Sequence, residues 1–98
     1  MPNDTGSLAE DITIRQMRDQ VIDNDLKLIQ AINQRLALVA RLRDYKEDRG
    51  IAFVDQSRED WMHQYLRGAN RGPLSDEGLT EIYGHVLDLT KRETARGG

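Results

Sequence analysis

The chain has 98 residues, 38% of them hydrophobic, 32% charged and 5% aromatic, with a formal net charge of −3. That size allows one small domain with a limited core, the composition suits exposed helices better than a β-sandwich, and the acidic balance argues against a large nucleic-acid footprint. The absence of cysteine excludes disulfides, thiolate nucleophiles and cysteine-ligated metals. No apolar run reaches membrane-spanning length, and the N-terminus lacks the basic-then-apolar pattern of a secretory signal. A cytoplasmic protein with neither membrane nor nucleic-acid partners is expected.

Residues 1–7 read as a flexible leader, within which Ser7 can cap a helix and Glu10 completes a capping box. A single domain is expected over residues 8–95. From Leu8 to Asp48 there is neither proline nor glycine, and good helix formers dominate, so one helix of about 40 residues is predicted, roughly 60 Å long. Gly50 is placed to terminate it. A helix of that length overhangs anything the remaining residues can pack around it, and it therefore calls for a second copy of the chain.

Residues 51–54 form a short apolar linker. A second helix is predicted from a cap at Asp55 or Ser57 to Leu66 or Gly68, with Trp61, Met62, Tyr65 and Leu66 on its inner face. Asn70-Arg71-Gly72-Pro73 is a loop. Ser75 caps a third helix whose first turn carries Asp76 and Glu77, and Leu74 and Leu79 have hydrophobic-staple spacing. This helix is predicted to run to about Thr94, with Leu79, Ile82, Tyr83, Val86, Leu87 and Thr90 inward. The fold class is all-α, with three helices per chain.

Along the long helix, alternate steps of three and four give the seam Ile14, Arg18, Val21, Asp25, Leu28, Ile32, Arg35, Val39, Leu42 and Lys46. This is the pattern of a helix lying along a partner helix. Ile22, Leu26, Ile29, Leu36 and Ala40 widen the stripe, so that the shorter helices can dock on it too. Cations at Arg18, Arg35 and Lys46 cost free energy in such a seam unless an anion compensates them. Arg35 and Lys46 project on one side of the helix about 16 Å apart, close enough for both long side chains to touch one ligand. Arg18 lies roughly 25 Å before Arg35 and cannot reach that ligand from the same chain. In an antiparallel homodimer crossing near residue 29, Arg18 of one chain falls opposite the Arg35–Lys46 interval of the other, and two-fold symmetry gives two equivalent pockets for a small dianion. Asp25 reads as a structural partner for a seam cation.

Several spacings taken together, Arg18-x3-Ile22-x2-Asp25, Asn33-x-Arg35, Lys46, Asp55-x2-Arg58-Glu59 and Asn70-x-Gly72-Pro73-Leu74-Ser75, followed by a third helix with Thr90, resemble the all-helical chorismate mutases over about residues 14–94. The resemblance implies an intertwined homodimer in which the long helix spans both active sites. It implies that Arg18 of one subunit, with Arg35 and Lys46 of the other, holds the two carboxylates of the substrate, and that Lys46 also donates toward the ether oxygen. Asp55, mainly through its backbone, and Glu59 would hold the ring hydroxyl, Arg58 would support the electrostatics, and Thr90 would lie near a carboxylate. The implied reaction, chorismate to prephenate, is a unimolecular pericyclic rearrangement that needs no cofactor, metal, acid, base or nucleophile. Its barrier falls through restriction of the substrate to a compact conformer and through cations facing the breaking C–O bond.

The third helix departs from the family, which usually places Gln, sometimes Glu, four residues after the Thr90 position as a second donor to the ether oxygen. Here that position is Thr94, with Glu93 beside it. If Glu93 takes the role in its protonated form, activity rises toward acidic pH and Glu93→Gln removes the dependence; a flat profile in both proteins rules this out. Two relatives with the same pocket, isochorismate pyruvate-lyase and aminodeoxychorismate mutase, are not separated by residues alone, since Glu59 can hold an amino group as well as a hydroxyl. A non-catalytic helical dimer, and a requirement for an unidentified partner enzyme acting on residues 51–54 or the end of the third helix, are the further alternatives. His63 and His85 read as packed or solvated, and no metal motif surrounds them. Trp61 and Tyr65 read as core.

Overall fold

The computed structural model describes residues 8–96, with side chains over residues 11–95. The predicted leader, the Ser7–Glu10 capping box and the terminal Gly97-Gly98 lie outside the described residues. Three helices follow in order, α1 (Leu8–Asp48), α2 (Gln56–Ala69) and α3 (Asp76–Arg96), with no strand among the described residues. The all-α expectation holds, and α1 has the limits read from its proline- and glycine-free run.

Its end is built by Gly50, whose φ of +67° is open to glycine at little cost. The Gly50 N–H donates to the Glu47 carbonyl at 3.1 Å and the Ile51 N–H to the Lys46 carbonyl at 2.8 Å, the two bonds of a Schellman motif. The chain divides within α1 into two compact units, one ending at Arg35 and the other beginning at Leu36.

In the N-terminal unit, the described part of α1 carries a run of exposed apolar side chains: Ile14, Met17, Val21, Ile22, Leu26, Leu28 and Ile29. Exposure of both the seam and its flanks shows that the described residues of this unit leave the stripe uncovered. Ile32 and Arg35, at the end of the unit, are half-buried.

In the C-terminal unit, Asp55 rather than Ser57 caps α2. Its carboxylate accepts the Arg58 N–H at 3.1 Å. The loop to α3 is clamped by Asn70, whose side chain accepts from the Gly72 N–H at 3.1 Å and donates to the Leu74 carbonyl at 2.8 Å. Ser75 caps α3 by accepting the Gly78 N–H at 3.0 Å. Leu74 closes over the same turn, and a Cβ on Gly78 would meet its Cδ1 at 2.9 Å, so this glycine makes room for the staple. Leu79 is the one hydrophobic side chain buried among the described residues, joined by the polar Thr90 and Thr94.

Two inner-face expectations are corrected. Trp61 and Tyr65 are 51% and 57% exposed and stack on each other instead, with centroids 5.2 Å apart and planes 8° from parallel. The half-buried stripe of α2 is Glu59, Met62, His63 and Leu66. A helix advances about 100° per residue, so a stripe centred on Met62 and Leu66 turns Trp61 and Tyr65 outward. Ile82 is likewise exposed, while Tyr83, Val86 and Leu87 are half-buried.

Candidate active site

Lys46 stands in the last turn of α1, half-buried, with its ammonium donating to the Phe53 carbonyl at 3.4 Å. Arg43 lies one turn earlier on the same side. Its guanidinium sits 4.4 Å above the Phe53 ring, and its Nη1 reaches the Thr94 hydroxyl at 3.5 Å. The linker after α1 thus holds both cations through one residue, by the ring face on one side and the backbone oxygen on the other. A cavity of about 300 Å³ opens beside Arg43, with Leu36 and Ala40 of α1 and Glu93 and Thr94 of α3 in its wall. Asp44 and Glu47 also line it, so three carboxylates face one guanidinium. That balance disfavours an anion, and this cavity is not by itself the dianion pocket expected from the seam.

The α2–α3 pair has a readable register. Arg67 meets Asp76 at 3.5 Å, and four residues back on α2 and four forward on α3, His63 meets the Thr80 hydroxyl at 2.8 Å. One further step brings Glu59 level with Gly84, which has no side chain and open space where a Cβ would stand. The cation that Glu59 meets on α3 is Lys91, seven residues beyond Gly84. Its Nζ lies 3.3 Å from Glu59 Oε2, and both residues are half-buried.

Arg58 does not join Glu59. Its guanidinium lies 4.7 Å over the Trp61 ring on the exposed side of α2. The Asp55 carboxylate is committed to the helix cap, which fits a ligand contact made through the backbone. Thr90 and Thr94 are buried one turn apart, and each spends its hydroxyl proton on the carbonyl four residues back, Val86 at 2.6 Å and Thr90 at 2.7 Å. A hydroxyl has one proton, so Thr94 stands as an acceptor toward Arg43 and not as the expected donor. Glu93 is 3.4 Å from Arg92 Nε. Arg18 and Asp25 are exposed along the N-terminal unit, and Arg35 is half-buried at its end.

The structure therefore pairs Glu59 of α2 with Lys91 of α3 and sets Thr94 of α3 beside Arg43 of α1, with Thr90 buried one turn before Thr94; Lys91 and Arg43 are residues that the sequence reading missed. Lys91 gave no signal in the sequence, because its pairing with Glu59 depends on how α2 and α3 pack. Arg43 sits outside the seam and gave none. His63 is packed, its ring tilted at 6.2 Å from Tyr83. Among the described residues, no group of three or more His, Asp or Glu side chains is placed to hold a metal ion, and no helix is long and apolar enough to cross a membrane.

Residues 17–94 match the family model of chorismate mutase type II. No curated protein sequence gives a match to this chain. The match covers most of the chain, and the protein belongs to the chorismate mutase type II family.

Proposed function

From this membership we propose that the protein converts chorismate to prephenate in a pocket shared between the two subunits of an intertwined, antiparallel homodimer. The observation that carries the proposal is the extent of the family match: it begins one residue before Arg18 and ends on Thr94, so all the candidate residues fall inside it. The setting that goes with this chemistry is cytoplasmic biosynthesis of aromatic amino acids, within a single domain over residues 8–95.

Arg18 from one subunit, with Arg35 and Lys46 from the other, grips the two carboxylates. Each arginine fork donates two parallel hydrogen bonds to a carboxylate, which fixes direction as well as distance. Held at both ends, the enolpyruvyl side chain lies over the ring, and the new C–C bond forms as the ether C–O bond breaks. Negative charge gathers on the ether oxygen in the transition state, and Lys46 donates toward it. The Phe53 carbonyl uses one of its three N–H groups, leaving two for the ligand. Asp55, through its backbone, and Glu59 hold the ring hydroxyl. Arg58 contributes charge from the rim, while Thr90 and Thr94 wall the site on the α3 side.

Lys46→Ala tests the proposal. One preorganised donor to a developing oxyanion is worth about 3–4 kcal/mol, so kcat should fall by roughly 10² to 10³. Lys46→Arg should also lose activity, because a planar fork cannot take the place of a compact ammonium. The assay follows the disappearance of chorismate by absorbance and identifies prephenate by chromatography. Turnover of chorismate that survives Lys46→Ala undiminished would refute the mechanism. Wild-type protein that leaves chorismate intact but consumes isochorismate or 4-amino-4-deoxychorismate would move the assignment to a sister reaction.

A further inference from the structure

Glu59 is the residue proposed to meet the ring substituent, and a carboxylate accepts equally well from a hydroxyl and from an ammonium. The choice between them depends on what else faces that carboxylate. In this chain it is Lys91, 3.3 Å away across the α2–α3 interface. The side chains of Glu59 and Lys91 are 20% and 39% exposed, so solvent screens the pair only in part.

We propose that Lys91 is a specificity-determining residue: it neutralises Glu59 and makes the site select a neutral ring hydroxyl over a protonated ring amine. The inference rests on the proposed role of Glu59 and goes beyond it. A hydroxyl that donates to one carboxylate oxygen is indifferent to a lysine on the other. An allylic amine carries a positive charge near neutral pH, and it would share a single carboxylate with a second cation a few ångströms away. Like charges so placed repel, and discrimination built on repulsion needs no new contact with the preferred substrate. Lys91 acts through Glu59 and touches no reacting bond.

The experiment compares kcat/KM for chorismate and for its analogue with an amine in place of the ring hydroxyl, using wild type, Lys91→Gln and Lys91→Arg, with far-ultraviolet circular dichroism as the check of fold. Wild type should favour the hydroxyl substrate. Lys91→Gln should shrink that preference by about tenfold, chiefly through improved use of the amine, since one like-charge neighbour removed is worth about one decade. Lys91→Arg keeps the charge and should keep the preference. A folded Lys91→Gln protein with an unchanged ratio would overturn the proposal, as would a wild type that prefers the amine. Calorimetric titration of both compounds applies the same comparison to binding. If wild type binds the hydroxyl compound in preference without converting it, the proposed reaction fails while the selectivity stands; if it binds neither, both fall.

Discussion

Thr94 shows how a single residue can occupy the expected place and lack the expected chemistry. Its position on α3 is the one where the resemblance calls for a donor, yet its hydroxyl proton goes to the Thr90 carbonyl at 2.7 Å. The oxygen is left to accept from Arg43 at 3.5 Å, a long bond that orients the guanidinium more than it binds it. Replacement by valine keeps the branched shape and removes the hydroxyl. We expect Thr94→Val to lose less than about tenfold in kcat and about 1 kcal/mol in stability, the usual worth of one intramolecular hydrogen bond. Steady-state kinetics and denaturant unfolding check the two halves. A loss of kcat as large as that of Lys46→Ala would mean that the hydroxyl turns toward the ligand in the bound state.

At the level of the element, the ends of the helices were legible in the sequence and their faces only in part: Met62, Leu66, Leu79, Tyr83, Val86, Leu87 and Thr90 turn inward as expected, whereas Trp61, Tyr65 and Ile82 are exposed. Caps are local: Asp55, Ser75 and Gly50 each act within a few residues, so residue type and spacing suffice to place them. Gly50 gives the sharpest consequence. Its φ of +67° strains any residue with a Cβ, although nothing lies within 4 Å of the added atom. Gly50→Ala should therefore cost about 1 kcal/mol through backbone conformation alone. A lowered Tm with unchanged chorismate mutase kinetics is the expected result, and an unaltered Tm would show the turn relaxing into another conformation. Faces depend on which neighbour arrives. Trp61 and Tyr65 look like core by hydrophobicity, but α3 meets the Met62–Leu66 side and leaves the aromatic pair to stack outside. The same reason hid Lys91: its pairing with Glu59 depends on a register between two helices that no single-helix pattern contains. The candidate residues themselves were legible as positions, because the seam period and the family's spacing are both properties of the linear chain.

For the whole molecule, the central proposal is that no subunit owns a complete site. The exposed apolar run from Ile14 to Ile29 supports a second chain on the N-terminal unit, since fully burying each such side chain would contribute about 1.5–3 kcal/mol. Sharing of the site is a sharper claim than dimerisation, and mixing two dead proteins separates them. Arg18→Ala and Lys46→Ala are each expected to be inactive as homodimers, because every site lacks one cation. In a heterodimer of the two, one site combines both lesions. The other takes Arg18 from the Lys46→Ala subunit and Lys46 from the Arg18→Ala subunit, and is intact. Random exchange makes about half of the dimers mixed, with one of two sites working, so about a quarter of wild-type activity should return. Co-refolding the two variants and assaying chorismate turnover measures this directly, and differently tagged chains allow the mixed dimer to be purified, where the expected recovery is about one half. If each subunit carried its own Arg18 and Lys46 into one site, both sites of the mixed dimer would remain defective. Absence of recovery in a verified heterodimer would then exclude the shared pocket while leaving the dimer itself untouched.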